Sequence, residues 1–154
     1  MESTLSTCET SPRRALAEWF LLLAVCFLVA GAPAPHVNET HYLAKAKHYW
    51  DPSYCPGDQF LDSADPHVAF YWTVGWLTLW LPLPAVAWIG RLAAWGLVAW
   101  GWRRLAREAL ADRLAAWPPE LASLAVVASG AVWLPRIGGW HFAGAWARGG
   151  IEGK

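Results

Sequence analysis

The sequence predicts an all-α protein embedded in a membrane, and three observations carry that prediction. Apolar residues make up 56% of the chain, charged residues only 16%, and 13 residues are Trp. A soluble single core built from 154 residues would leave much of that apolar surface facing water. Apolar runs at 15–32, 85–102 and 118–135 each approach the roughly 20 residues that a helix needs to cross hydrocarbon. Arginines gather beside two of these runs, Arg13 and Arg14 before the first and Arg103, Arg104, Arg107 and Arg113 after the second, as expected of cytoplasmic flanks. The 12 basic and 12 acidic residues balance, so there is no broad basic field and no nucleic-acid partner is expected.

Taken in order, residues 1–14 are polar and lack an apolar period, which predicts a disordered cytoplasmic N-terminus. Residues 15–32 form the first transmembrane helix. The two arginines, the Leu/Val centre and Ala30-Gly31-Ala32 also suit a cleaved signal peptide, but Pro33 directly after that site should make a poor substrate for the peptidase. Residues 33–67 form an outer loop. Within it Asn38 suits the N-cap of an amphipathic helix over 39–50. Tyr42, Leu43, Ala46, Tyr49 and Trp50 share one face of that helix, while Glu39, His41, Lys45 and His48 lean to another, a pattern suited to an interface. Pro52, Pro56, Gly57 and Pro66 then punctuate an ordered loop.

Residues 68–81 are apolar but too short to cross before Pro82 and Pro84, which predicts a re-entrant or interfacial helix. Residues 85–102 make the second span, 103–117 a basic cytoplasmic helix, 118–135 the third span and 136–154 an outer tail. Both arginine clusters are cytoplasmic only if an even number of crossings separates them, so 68–81 enters without crossing and the 33–67 loop is outside. Trp88, Trp95 and Trp102 recur at seven-residue spacing, read as helix packing and aromatic belt rather than a ligand box. Cys8, Cys26 and Cys55 fall in different environments, so no internal disulfide is expected and Cys55 is either a buried thiol or an intermolecular partner.

Chemistry concentrates between His36 and His67, which holds four of the five histidines. Glu39, in a first helical turn, is an anion stabilised by free amides and able to accept a proton, though a helix-start residue looks the same. His41, Lys45 and His48, spaced by four and three, form one ridge that could hold a lipid phosphate at a bilayer surface, or simply a solvated face. His36, Glu39, His41 and Asp51 offer ligands for a divalent metal, Mg or Mn, but their spacing matches no dedicated motif. Arg91 lies about two turns into a span, where a charge marks a functional site unless it snorkels to the interface.

The order of features, a basic start, one span, NETHYLAKAKHYW and then GDQFLDSADPHVAFYW running into short apolar helices, resembles the N-terminal region of GT-C type membrane glycosyltransferases. It is most similar to planctomycete-type membrane proteins sharing the HVNETHYLAKAKHYW signature. The resemblance implies a bacterial inner-membrane enzyme using a polyprenyl-phosphate-sugar donor, with an acid in the first outer loop acting as base or helping bind the metal or donor. Glu39 takes that place, followed by Tyr42 and Ala46, and Arg91 matches an arginine at the start of the next span. Asn38 stands where an Asp is usual, so the carboxylate role falls on Glu39 alone or moves to Asp58, Asp62 or Asp65. On this reading His41, Lys45 and His48 contact the lipid phosphate, and Asp62 or Asp65 assists. The chain is then expected to be the first part of a longer protein whose remaining membrane region completes the donor cavity. The alternative is a non-catalytic accessory or scaffold protein whose Trp-rich spans pack against a partner membrane protein.

Overall fold

A computed structural model describes residues 11–35, 37–65 and 67–137, without the side chains of residues 37, 38, 136 and 137. All regular structure in these residues is helical: α1 (Pro12–Ala30), α2 (Val37–Trp50), α3 (Val68–Thr73), a 3₁₀ helix (Gly75–Leu79), α4 (Leu83–Ala109), α5 (Ala111–Leu114) and α6 (Pro119–Ile137). The all-α class is therefore as the periodicity predicts. Among the described residues one helix, α4, is long and apolar enough to cross a membrane. Helix α1 carries Arg13, Arg14 and Glu18 within its length, and the apolar part of α6, Pro119–Pro135, is shorter.

Several boundaries differ from the sequence reading. Helix α1 starts at Pro12, inside the stretch expected to be disordered, because proline suits a first helical position and the Ser11 carbonyl accepts from Ala15 N at 3.0 Å. Residues 1–10 of that stretch, with Cys8, lie outside the described residues, as do His36 and most of the expected outer tail. Helix α2 starts at Val37, so Asn38 falls within its first turn rather than before it. The segment 68–81 is not one helix but α3 followed by the 3₁₀ turn. No breaker separates 85–102 from the arginines that follow, and α4 runs through both to Ala109.

The described residues form two compact units, 11–29 with 95–137, and 30–94, and α4 contributes to both. In the first, Ala106, Leu114, Ala122 and Val126 make a small core against Trp102, Leu110 and Ala125. Leu22 is fully buried, and a Cβ on Gly130 would run into its side chain and touch the Trp102 ring, so only glycine allows this approach of α6. Glu18, 1% exposed, accepts from the guanidinium groups of Arg103 and Arg107 and from Ser123 Oγ at 2.6 Å, which ties α1 to α4 and α6. Trp19 Nε1 donates to Gly96 O at 2.8 Å and Trp102 Nε1 to Ser129 Oγ at 3.2 Å.

In the second unit, Leu43, Val86 and Ala87 are packed with Phe70, Val74, Leu77 and Leu81. The 3₁₀ helix and α2 approach so closely that a Cβ on Gly75 would lie 3.0 Å from the Ala46 carbonyl oxygen. Trp50 Nε1 donates to Tyr71 O at 2.8 Å, and Tyr71 is 1% exposed. Packing of Leu43 and Ala46 against protein accounts for the apolar face of α2.

Candidate functional site

Part of the polar face of α2, at Lys45 and His48, is covered as well, by the 51–65 loop. That loop shapes itself locally: Asp51 Oδ1 accepts from Ser53 N at 3.1 Å, and Asp58 Oδ1 accepts from Phe60 N at 2.9 Å and Leu61 N at 3.1 Å. Both are side-chain mimics of a turn, which is why Asx residues concentrate there. Cys55 and Gly57 take positive φ of 52° and 82°, the latter at no steric cost. The folded loop points several carbonyls back toward α2.

Lys45 meets those carbonyls. Its ammonium donates to Phe60 O at 2.8 Å, Ser63 O at 2.9 Å and Ser63 Oγ at 2.8 Å, with Leu61 O at 3.3 Å, Asp65 Oδ1 at 3.7 Å and the Phe60 ring 5.2 Å away. At 2% exposure it is a buried cation compensated from all sides. One turn along, His48 Nδ1 lies 2.8 Å from Tyr54 O and Nε2 3.0 Å from Asp62 Oδ1. The ring thus bridges the Tyr54 carbonyl and the Asp62 carboxylate.

The expected ridge of His41, Lys45 and His48 is thus divided. Lys45 and His48 hold the loop, together with Asp65 and Asp62, while His41 is exposed beside the Phe60 ring at 5.6 Å. Glu39 and Arg91 form a separate pair: Arg91 Nε donates to Glu39 Oε1 and Nη2 to Glu39 Oε2, each at 2.6 Å, while Nη1 donates to Ala32 O. Their side chains are 10% and 11% exposed, and Trp88 lies against the guanidinium at 5.1 Å. Arg91 is therefore paired within the protein.

Beside this framework lies an open hollow of about 820 Å³. Tyr42, His67 and Tyr71 form one wall, with ring centroids 5.2 Å and 6.3 Å apart in sequence, and His41, Phe60 and Tyr54 are also in its lining. Burial lifts the Tyr71 phenol above its ordinary pKa, and the charge of Asp65 and the nearby Tyr42 push the same way. Of the eight candidate site residues, His41, Lys45 and Asp58 line this hollow and Glu39, Asp62, Asp65, His48 and Arg91 do not. Tyr42, His67 and Tyr71 were not singled out for chemistry; their sequence signal is only aromatic residues flanking the polar stretch.

The metal reading does not fit these residues. Among the described residues no three His, Cys, Asp or Glu side chains gather as a metal site; Glu39 is engaged by Arg91, Asp51 by Ser53, and His36 lies outside the described residues. Cys55 is an exposed free thiol rather than a buried one, because the loop turns at that residue. Comparison with known protein families, curated proteins and solved structures gave no match.

Proposed function

We propose that this chain is a membrane region of a GT-C-like glycosyltransferase that uses a polyprenyl-phosphate-linked sugar. On this reading α1, α4 and α6 cross the bilayer of a bacterial inner membrane, the N-terminus is cytoplasmic and the 33–67 segment is outside. The observation that carries the reading is the buried bidentate pair of Glu39 and Arg91. An acid and an arginine stand there at the two places where the sequence resemblance expects them.

The pair suggests how the two would act. A guanidinium binds carboxylate and phosphate with the same fork geometry. A donor phosphate competing for Arg91 would release the Glu39 carboxylate, which could then accept the proton of an attacking hydroxyl. The hollow lined by Tyr42, His67 and Tyr71 offers flat apolar walls with hydroxyl and imidazole groups among them, the makings of a small-ligand site. Lys45 and His48 shape that site by holding the loop rather than by touching lipid.

The test is sugar transfer from a labelled lipid-linked donor pool, in membranes carrying the longest natural reading frame that contains the segment, with wild type beside Glu39→Gln. Transfer should fall roughly a hundredfold or more, the scale of a lost general base. Equal transfer by the two proteins would remove Glu39 from the chemistry. The second reading, a non-catalytic scaffold, draws on the fact that both Glu39 oxygens are engaged and neither lines the hollow; absence of transfer by wild type would favour it.

A further inference from the structure

Between Asp65 and Arg91 the chain contains no Asp, Glu, Lys or Arg. Within that run α3 and the 3₁₀ helix bury Tyr71, Gly75 and Thr78, and expose the large rings that alternate with them: Trp72 at 64%, Trp76 at 46% and Trp80 at 78%. Val68 and Leu79 are exposed beside them. We propose that Trp72, Trp76 and Trp80 seat this segment in the interfacial layer of a phospholipid bilayer, where it lies along the surface without crossing. The proposal rests on the membrane reading above.

The occupant follows from chain geometry. A 30 Å hydrocarbon layer takes about 20 residues of helix, and counting back about that many from Arg103 on α4 reaches Leu83. The first residue of α4 is then at the outer boundary when the arginines are at the inner one. Trp80 is three residues from Leu83, at most roughly 11 Å of extended chain. That keeps it in or next to the boundary layer. That layer is where Trp is favoured over Leu or Phe, because the indole body is apolar and its N–H still finds water or headgroup oxygen. A protein partner would be expected to meet some charge over so long a stretch; an interface does not require any. Tyr71 lines the hollow and Trp72 follows it directly. The seating therefore sets the hollow at headgroup depth, within reach of an amphiphile held in the bilayer.

The experiment uses the full chain in phosphatidylcholine–phosphatidylglycerol vesicles, with Cys8→Ser, Cys26→Ala and Cys55→Ser and one new cysteine at a time for an environment-sensitive fluorophore. The positions are Trp72→Cys, Trp76→Cys, Trp80→Cys and, on an exposed turn near the centre of α4, Leu92→Cys; the fluorophore coupled to glutathione in solution supplies the aqueous reference. Nitroxide lipids labelled at the headgroup should quench the three tryptophan positions several-fold more than lipids labelled mid-chain, with the order reversed at Leu92. Tryptophan positions as open to iodide as the glutathione conjugate, with Leu92 still quenched from mid-chain, would overturn the anchor and leave the membrane reading standing. Mid-chain quenching there equal to that at Leu92 would overturn it too, by placing the segment in the hydrocarbon. A Leu92 probe untouched by either lipid would end the membrane reading, and the anchor with it.

Discussion

Glu18 and Glu39 are buried carboxylates held by arginine, one in each compact unit, and they are built differently. Glu18 gathers Arg103 and Arg107 of α4 and Ser123 of α6, so its charge is over-compensated and its removal leaves two cations. Glu39 meets the Arg91 guanidinium fork to fork. A carboxylate on one helix that gathers donors from two others is a joint. A guanidinium held fork to fork can exchange its carboxylate for an incoming anion of the same geometry, which is why the functional proposal rests on Glu39.

The comparison can be broken first at Glu18. Glu18→Ala should destabilise the protein by about 3–5 kcal/mol, the scale for stranding buried charge, measured by equilibrium unfolding in mixed detergent micelles. Glu39→Gln should remove less, about 2–3 kcal/mol, since one cation is left and the amide still accepts from it. If both variants lost the same stability, the distinction between joint and exchangeable pair would fail.

Lys45→Met sharpens the comparison within the second unit. The stem keeps its packing, the loop carbonyls lose their charged donor, and about 2 kcal/mol should go. Limited proteolysis should then cut within 51–65 before it cuts elsewhere among the described residues. Unchanged cleavage would show that Asp51 and Asp58 turns hold the loop without the lysine.

The smallest effect belongs to Tyr71. Its folded pKa is raised above the unfolded value, by burial first and by Asp65 and Tyr42 next. The stability linked to it is therefore fully present below the unfolded tyrosine value near 10 and is lost as pH rises through the folded one. Ultraviolet titration should show one tyrosinate step above the ordinary pH, and Tyr71→Phe should remove that late step alone.

Helix existence was legible from composition and period alone. A run such as 85–102 has no breaker before Ala109, so local propensity decides that α4 forms, and turn residues such as Asp51, Asp58 and Gly57 decide that 51–65 is loop. The N-terminal boundary of α2 and the division of 68–81 were not legible, since the latter depends on the approach of Gly75 to Ala46 across the fold. The polar ridge of α2 was visible as spacing, but not its destination. Spacing places Lys45, His48 and His41 on one side of a helix; whether that side meets lipid, water or a loop is settled by contacts from residues far along the chain. In the same way Glu18 reads as a lone acid in an apolar run, and its partners Arg103 and Arg107 become visible only once α1 and α4 pack. Local sequence determines which segments coil because the energies of turns and helical periods are local, whereas the pairing of charges waits on tertiary structure because electrostatic compensation depends on distance in space and not along the chain.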